Sequence, residues 1–559
     1  MRTGFAFSSR IAFYWCAPNA TRVVPSCEQP SITMLALLTN PYIVAILVYL
    51  LALVGVGYYK SRIVKTGEDF MVAGRALHWW VLVGTLLATW MGSGSLFGGA
   101  GLGYRNGLAG LWSSAGAWVG IVIVYFIARR IRNFGKVTVP DIFEVRYGRA
   151  SGVLATITTI IAYLTIVSYQ FRGGGNVLHF ITEGTGVEIS VQAGIVITAV
   201  FAIAYTALAG MLSVVYTDVV NGVVMIVGVF ATLFFMVAAV GGVDEIITVA
   251  EAAGKWELFG NWANERTDGT SGPIIAISFL IPTMLLLMGD ANMYQRIFSA
   301  KDGGEAQKAV FFWVIGVVLL ESAISFVGLT GSVAAEQGLI PQLFSGGAAD
   351  VVGNQSEYII PTLAVSEHTP LILGMVLVAT MMAIIVSTAD SFLLVPATNL
   401  TRDVMQRFVT PNLSERAVVL MSRGWVLLLG FIAYLLVDQF PTILTAAYTA
   451  YLVYGAAITP ALLAAFLWKR ATGPAAVASI ATGTIVTLLW TFYLSEQPYF
   501  ADWHPMLQEV TYPAVSLSIL ALVGVSLATP KPAIEQWAPF FDDTKGIREE
   551  AREGPGVEE

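Results

Sequence analysis

Long apolar runs recur along the whole chain and alternate with short segments that carry most of its charges. Each run is long enough to cross about 30 Å of bilayer hydrocarbon as an α-helix. The pattern predicts an all-α polytopic membrane protein with about 13 transmembrane helices. The runs fall near residues 41–59, 79–101, 108–128, 152–182, 188–209, 214–240, 272–292, 309–333, 370–400, 422–437, 442–468, 474–494 and 511–529.

The composition supports this class and excludes others. Of the 559 residues, 56% are hydrophobic and 12% are charged, and the mean hydropathy is +0.73. Soluble proteins carry about 25% charged residues. This composition predicts a lipid bilayer as the surroundings of the protein. No stretch is basic enough to indicate a nucleic-acid partner. Cys16 and Cys27 both precede the first run, so neither a disulfide nor a cysteine-bound metal is expected in the core.

The two ends of the chain differ from the apolar core. Residues 1–40 mix arginines, prolines and short apolar pieces, and they contain no run long enough for a span or a secretory signal. We predict that this leader is disordered, or that it is not translated because synthesis starts at Met34. Residues 530–559 end in "GIREEAREGPGVEE", which predicts a disordered acidic tail.

The basic residues predict the orientation, because cytoplasmic loops are enriched in Lys and Arg. With the amino terminus outside, only Arg105, Lys255 and Arg266 fall in outer loops. We therefore expect a multi-pass protein of the cell (plasma) membrane, with the carboxyl terminus in the cytoplasm. The residues on the cytoplasmic side would be Lys60, Arg62, Lys65, Arg75, Arg129, Arg130, Arg132, Lys136, Arg146, Arg149, Arg296, Lys301, Lys308, Arg402, Arg407, Arg416, Arg423, Lys469, Arg470, Lys531, Lys545, Arg548 and Arg552.

Two apolar runs contain interruptions typical of broken helices. The stretch "GSGSLFGGAGLG" at 92–103 has six glycines, and "LMGDANMYQR" at 287–296 closes the seventh run. Backbone that leaves a helix at membrane depth is tolerated only inside protein or along a cavity. The alternative for the glycines is close helix packing through small residues. Interruptions at corresponding positions of two halves indicate an inverted-repeat transporter.

Each interrupted run opens a block of five spans, which predicts a core of 5+5 inverted repeats. The first repeat covers 79–240 and the second covers 272–468, with an outer loop at 241–271 between them. The first span and a cytoplasmic loop occupy 41–78, and the last two spans occupy 469–529. The repeat is inferred from this arrangement of spans alone.

Five ordered stretches indicate the kind of transporter. They are "FMVAGRALHWW", "AYTALAGMLSVVYTDVVNGVVM", "MYQRIFSAKD", "STADSFLLVPATNLTRD" and "LLAAFLWKRATGPAAVASIATG". From about residue 41 to 495 the chain resembles the sodium:solute symporter family, which includes proline, sugar, pantothenate and choline carriers. Ala209-Gly210 and Ala475-Ala476 depart from the family pattern by one methyl group each. The resemblance implies a LeuT-like fold.

The resemblance also implies a sodium site between the second and ninth spans. Two adjacent hydroxyls of the ninth span bind the ion in this family, and here they are Ser387 and Thr388. Carbonyls at the break, from Ala88 and Met91, and the carbonyl of Ile384 complete the set. Small hard cations prefer several oxygen ligands. The alternative is that both hydroxyls bond back to the preceding turn of their own helix.

In such carriers the solute binds beside the breaks near mid-membrane. An indole face attracts an ammonium group, and a nearby carboxylate strengthens that preference. The expected solute is a small polar organic molecule, such as a quaternary amine, an amino acid or a carboxylate. Trp90 could instead serve packing, and Asp290 could cap a helix or pair with Arg296. The residues predicted to bind the solute are Trp90, Gly92, Asp290, Tyr294 and Gln295.

Four more ionisable residues lie within the apolar runs, where such groups are functional candidates. Asp218 is expected to make a polar contact at an inner gate. Asp390 is expected either to bind a ligand or to hold neighbouring helices together. Glu321 and Arg172 are candidates for an ion pair, although Arg172 could extend to the outer interface instead.

These features predict secondary active transport, in which inward Na⁺ flow drives solute uptake by alternating access. Na⁺ is the coupling ion, and the sequence contains no P-loop, zinc motif or nucleophile elbow, so no enzymatic activity is expected. Two alternatives are open. A proton-coupled carrier would use Asp390 or Glu321, and a sensor built on a transporter core would need a signalling domain beyond the thirty residues after the last span.

Overall fold

The computed structural model describes residues 39–61, 67–135, 138–184, 188–260, 262, 272–343, 355–410 and 412–541. Throughout these ranges the regular structure is helical, apart from one isolated parallel bridge between Leu77 and Ala300. The prediction of an all-α protein is confirmed. The expectations for Cys16, Cys27, Met34 and the acidic tail beyond residue 541 lie outside the described residues.

The helices are numbered in chain order. The α-helices are α1 (Pro41–Ser61), α2 (Gly67–Val72), α3 (Trp79–Trp90), α4 (Ala100–Asn106), α5 (Leu111–Asn133), α6 (Val139–Tyr147), α7 (Arg149–Phe180), α8 (Val191–Ala209), α9 (Met211–Ala239), α10 (Val243–Ala252), α11 (Gly272–Gly289), α12 (Ala291–Phe298), α13 (Gly303–Glu336), α14 (Ile359–Val365), α15 (Leu371–Asn399), α16 (Glu415–Leu435), α17 (Ile443–Leu467), α18 (Gly473–Leu489), α19 (Pro505–Gln508), α20 (Thr511–Ala528) and α21 (Ile534–Trp537). Short π-helical segments cover Gly94–Gly99, Leu400–Val409 and Trp490–Leu494, and short 3₁₀ turns cover Ala73–Arg75, Gly107–Gly110, Ser356–Tyr358, Val437–Gln439, Pro498–Asp502 and Ala538–Phe540.

Twelve helical stretches in the described ranges are long and apolar enough to cross a membrane, and α3 is a shorter apolar helix. One of the twelve, Gly94–Asn133, reverses direction at Gly107, whose φ of +58° favours glycine. Before the reversal the chain runs parallel to α13, since Leu87 lies against Gly316 and Tyr104 lies against Gly331. After it, α5 runs back along α13, from the Trp118–Glu321 contact to the Arg129–Gly303 contact. Counting α3 and α4 as one broken span gives the 13 crossings that the sequence predicts.

The helices divide into a buried centre and a lipid-facing periphery. α17 is the most buried of the long helices, and α7, α11 and α15 follow it. The sequence of α17 is rich in alanine, and small residues let helices approach closely in a membrane protein. α1 is among the least buried, and it exposes Leu47, Val48 and Leu51 on its outer face. The central helices are therefore the ones that can enclose a site.

The first predicted break lies between α3 and the π-helical segment Gly94–Gly99. α3 ends at Trp90, and Met91 and Gly92 leave the helical conformation. A Cβ added to Gly92 would lie 2.7 Å from Gln170 Nε2 and 3.1 Å from Thr388 Cγ2. Glycine is required here because the backbone passes directly against two other helices.

The second predicted break separates α11 from α12. α11 ends at Gly289, and the Asp290 side chain caps α12 by accepting a hydrogen bond from the Asn292 backbone N–H at 2.7 Å. A Cβ at Gly289 would lie 2.2 Å from Thr459 Oγ1, so α17 packs tightly against this break. Both interruptions therefore lie in the buried centre, as irregular backbone at membrane depth requires.

Candidate functional site

The carbonyl end of α3 lies directly against the middle of α15. The last carbonyls of a helix have no amide partner within it, so they are available to other groups. Thr388 Oγ1 donates a hydrogen bond to the Met91 carbonyl at 2.7 Å, and Ser387 Oγ lies 3.3 Å from the Ala88 carbonyl. All four residues are buried. The structure therefore brings together four of the five predicted sodium ligands, and both hydroxyls face the broken helix.

Asp218 of α9 adds a carboxylate to this cluster. Ser387 Oγ lies 2.6 Å from Asp218 Oδ1. A hydroxyl has a single proton, so Ser387 donates it to the nearer carboxylate, and its approach to Ala88 is an oxygen–oxygen contact. Five oxygens thus converge with only two hydroxyl protons among them, an arrangement that favours a cation. The sequence predicted a gate role for Asp218 and did not place it beside Ser387.

Arg296 of α12 reaches the same carboxylate from another direction. Its Nη2 donates to Asp218 Oδ2 at 3.1 Å and to Ser391 Oγ at 2.6 Å, and its Nε donates to Thr85 Oγ1 at 2.9 Å. Thr85 Oγ1 in turn donates to Asp218 Oδ2 at 2.6 Å. The ion pair is fully buried, so removing either partner leaves an uncompensated charge. The sequence allows an ion pair between Arg296 and Asp290, but the structure pairs Arg296 with Asp218.

Two predicted residues of α15 lie beside the oxygen cluster. Ile384 is buried one turn before Thr388, in a part of α15 that is continuously helical. The participation of its carbonyl in a sodium shell stays a prediction. Asp390 is buried and accepts a hydrogen bond from Thr206 Oγ1 of α8 at 2.6 Å. This contact joins two helices, which is one of the two roles predicted for Asp390.

Trp90 lies immediately before the break of α3 and packs against a buried carboxylate. Trp90 Nε1 donates to Glu321 Oε1 of α13 at 2.8 Å, and Trp118 Nε1 of α5 donates to Glu321 Oε2 at 3.1 Å. The Trp90 ring stacks on Tyr451 of α17 with centroids 6.3 Å apart. The sequence identified Trp90 and Glu321 separately, and nothing in their local patterns indicated that they meet.

A small cavity of about 20 Å³ lies at this contact, which is enough for about one water molecule. It lies between the broken α3, the start of α5, α13 and α17. Its lining includes Trp90, Ser95, Gly99, Glu321, Tyr448 and Tyr451.

Arg172 does not pair with Glu321. Its Nη2 donates to the Val437 carbonyl at 2.7 Å and lies 3.6 Å from Asp438 Oδ1, at the end of α16. Arg172 therefore reaches away from the centre, which corresponds to the alternative considered from the sequence.

The other predicted solute residues lie at the two breaks and along α12, and they are not among the residues that line the Trp90 cavity. Asp290 caps α12 and accepts a hydrogen bond from the Tyr163 hydroxyl at 2.5 Å. The Tyr294 hydroxyl donates to the Met288 carbonyl at 3.0 Å, and Gln295 Nε2 donates to the Met71 carbonyl at 2.7 Å. Asp290 Oδ2 and Gln295 Oε1 are buried without a hydrogen-bond partner. The contact of these residues with a solute stays a prediction.

Gln170 is a polar residue at the break that the sequence did not identify. Its Oε1 accepts hydrogen bonds from the backbone N–H and the hydroxyl of Ser93, at 2.9 and 2.7 Å. Its Nε2 is buried without a hydrogen-bond acceptor and lies against Gly92. The Gln170 amide therefore fixes Ser93, which directly precedes the π-helical segment Gly94–Gly99. The signal that could have indicated it is a glutamine inside the long apolar run of α7.

Comparison with known proteins supports the family resemblance. The sequence model of the sodium:solute symporter family matches residues 70–483. The chain is 26% identical to the sodium/glucose cotransporter of Vibrio parahaemolyticus, over 89% of this chain and 91% of that protein. It is also 26% identical to the sodium/proline symporter of Salmonella typhimurium (87% and 94% covered) and to an osmoregulated proline transporter of Bacillus subtilis (89% and 97% covered).

Solved structures confirm the LeuT-like fold. A Na⁺-coupled sialic acid symporter in a substrate-bound outward-open state aligns with a TM-score of 0.72 at 18% identity, over 88% of this chain and 98% of that chain. Mhp1, a nucleobase-cation-symport-1 family transporter, aligns in a closed conformation with a TM-score of 0.53 at 12% identity, over 84% and 97%. At such identities the similarity concerns the fold alone.

Proposed function

Because the chain belongs to the sodium:solute symporter family and couples solute uptake to Na⁺, we propose that the ion binds where α3 breaks against α15. The observation that carries this proposal is the convergence of the Ser387 and Thr388 hydroxyls on the freed carbonyls of Ala88 and Met91. The Ile384 carbonyl would add a fifth ligand from the preceding turn of α15.

The chemistry of the cluster suits a transported ion. Hydroxyls and carbonyls are neutral oxygen ligands, which hold a hard cation without the strong attraction of several carboxylates. The charge of Asp218 is balanced by Arg296, so the attraction for the ion comes mainly from the carbonyl and hydroxyl dipoles. Such a site binds Na⁺ at the outer concentration and releases it at the lower inner concentration.

The ion links two separate parts of the protein. Na⁺ would hold the broken α3 against α15 in the outward-open state, and the solute would then bind near Trp90 and Gly92, beside α12 with Asp290, Tyr294 and Gln295. Rocking of the helices would expose both to the cytoplasm. Each Na⁺ that moves through 100 mV supplies about 2.3 kcal/mol. No covalent bond is made or broken in this cycle.

The relatives in the family indicate the general class of the solute. The named relatives are a sodium/glucose cotransporter and sodium/proline symporters, so a small polar organic molecule is the expected cargo. The protein is a multi-pass membrane protein. Its expected place is the plasma membrane, with the amino terminus outside and the carboxyl terminus in the cytoplasm.

Sodium binding by the purified full-length chain tests the proposal. Thermal unfolding in detergent is followed while NaCl replaces KCl at constant ionic strength and pH. We expect Na⁺ to stabilise the protein, and Thr388→Val and Ser387→Ala to raise the half-saturating Na⁺ concentration at least tenfold. Thr388→Ser keeps the hydroxyl and should change it less than threefold.

The matched control is Thr232→Val, because Thr232 of α9 bonds to its own helix through the Gly228 carbonyl at 2.7 Å. It should leave the Na⁺ response unchanged. Equal stability in NaCl and KCl, with no effect of Thr388→Val, would remove the sodium site. If acidic pH replaced Na⁺ as the stabilising condition, the proton-coupled carrier would be supported instead.

A further inference from the structure

Glu321 is a buried carboxylate whose charge has no cationic partner in the described part of the chain. Both of its oxygens accept hydrogen bonds from indole N–H groups, those of Trp90 and Trp118. These donors are neutral, so they orient the carboxylate without compensating its charge. No Lys, Arg or His of the described ranges forms an ion pair with it. A carboxylate buried in this way is costly, and at membrane depth it indicates function.

Aromatic rings surround the space beside this carboxylate. Trp90 stacks on Tyr451, and Tyr451 lies 5.8 Å from Tyr448, centroid to centroid. The faces of such rings carry negative potential and attract organic cations. An anionic solute would be repelled by Glu321. The lining also offers hydroxyls from Ser95, Ser113, Ser114, Thr283 and the two tyrosines, so neutral polar solutes are included in the test as a comparison.

The cavity has room to grow in two directions. A cleft of about 410 Å³ lies next to it, and Leu444 and Tyr448 belong to the walls of both. A shift of these two side chains would join the cavity to the cleft. On the opposite wall, a Cβ added to Gly99 would meet no atom within 4 Å. The closed volume is therefore bounded by movable side chains and by a glycine.

We propose that this cavity is the solute site and that its cargo is a small organic cation with one ammonium group. The ammonium would lie between the Glu321 carboxylate and the faces of Trp90, Tyr448 and Tyr451. Leu444 and Tyr448 would move aside to admit it from the adjoining cleft. The inference rests on the proposed Na⁺-coupled uptake and specifies the class of its solute.

The test uses pairs of compounds that differ only in charge. Purified full-length protein is screened by thermal shift, in NaCl and in KCl, with small quaternary and primary ammonium compounds. Each is paired with an uncharged isostere, for example choline with 3,3-dimethylbutan-1-ol, and glucose and proline are included. We expect at least one cation to stabilise the protein in NaCl, and its isostere, glucose and proline to have no effect.

Two variants connect binding to this cavity. Glu321→Gln should weaken binding of the cation at least tenfold while the shift caused by Na⁺ alone persists, which also shows that the variant is folded. Gly99→Val should weaken binding of the larger cations more than of the smaller ones, because it fills the cavity without changing its charge. Glu535→Gln, an exposed carboxylate on α21, is the control and should bind like the unaltered protein.

The outcomes separate this inference from the proposed function. No response to any cation, whether or not glucose or proline stabilises the protein, would overturn the cation site and leave Na⁺ coupling intact. Cation binding that is unchanged in Glu321→Gln would also overturn it. A cation that binds through Glu321 equally well in NaCl and KCl would support the cation site and contradict the sodium mechanism.

Discussion

At the scale of single residues, the site depends on the five positions from Ser387 to Ser391. Ser387 and Thr388 face the broken α3, Asp390 bonds to α8, and Ser391 accepts a hydrogen bond from Arg296. Polar groups in a membrane helix are costly unless each one is paired. This stretch is therefore a junction at which one helix is tied to several others.

The pair of Asp218 and Arg296 gives a prediction at this scale. Asp218→Asn or Arg296→Gln alone should lower the free energy of unfolding by about 3 kcal/mol, because each leaves the other charge buried without a partner. The double variant should lose clearly less than the sum of the two. Reversible unfolding in mixed micelles measures all four proteins.

If the loss of stability in the double variant equalled the sum of the two single losses, the two charges would not interact in the folded protein. Because Asp218 also contacts Ser387, the measurements are made in KCl, where a sodium effect on stability cannot contribute. Thr232→Val, whose hydroxyl bonds within its own helix, again provides a comparison for a buried polar change that leaves these charges alone.

The residues around Ser387 and Asp218 illustrate what the sequence can and cannot predict. Ser387 and Thr388 have a local signal as polar groups in an apolar run, and the break at Met91 has one in the glycines that follow it. Their assignment as sodium ligands comes from the family resemblance. The partner of Arg296 had no such signal. Asp218 is 78 positions away along the chain. Only the tertiary structure, in which the Arg296 side chain reaches Asp218 beside Thr85 of α3, decides that Asp218, and not the nearby Asp290, receives the guanidinium.

At the scale of elements, a broken helix and a continuous helix have complementary roles. α3 supplies carbonyls without intrahelical partners because it ends at Trp90. α15 continues through Ser387 and Thr388, so their hydroxyls are held at fixed positions along the helix. Both breaks were predicted, and both lie in the buried centre. The exact atoms that each break exposes depend on tertiary contacts such as Gln170 with Ser93.

Gly92→Ala tests the break as an element. Its methyl group would lie 2.7 Å from Gln170 Nε2 and 3.1 Å from Thr388 Cγ2, so one of these side chains must move. We expect the half-saturating Na⁺ concentration to rise at least fivefold, because displacement of Thr388 separates it from Met91. Thermal shift in NaCl and KCl measures this.

Gly424→Ala is the matched control, since its methyl group on the exposed side of α16 meets no atom within 4 Å. It should leave Na⁺ binding unchanged and add up to about 1 kcal/mol of stability, because alanine is the better helix former. If Gly92→Ala behaved like this control, the close approach of α3, α7 and α15 would play no part in ion binding.

At the scale of the whole molecule, hydropathy predicted much of the helical architecture, and the orientation inferred from the basic residues stays a prediction. Lengths and apolar content gave the spans, because lipid imposes both. At Gly107 the length of the helical stretch does not give the number of membrane crossings, since Gly94–Asn133 is one continuous apolar helical stretch. Only the opposite directions of α4 and α5 along α13 show that the chain passes twice.

The orientation can be tested with cysteine labelling. In a background with Cys16→Ser and Cys27→Ser, Glu496→Cys and Lys531→Cys place single thiols on exposed positions at the two ends of the last spans. A membrane-impermeant maleimide should label residue 496 in intact cells and residue 531 only after permeabilisation. The reverse pattern would show that the positive-inside distribution misplaces the termini.

The ligands proposed for Na⁺ come from two helices, α3 and α15, which would separate during the proposed transport cycle. The shell therefore exists only while α3 and α15 touch, and no ligand set survives their parting. Release of Na⁺ and opening towards the cytoplasm would then be a single event. The carrier could not return to the outward-facing state with Na⁺ still bound. Such a design would suppress futile exchange and keep the stoichiometry of each turnover fixed.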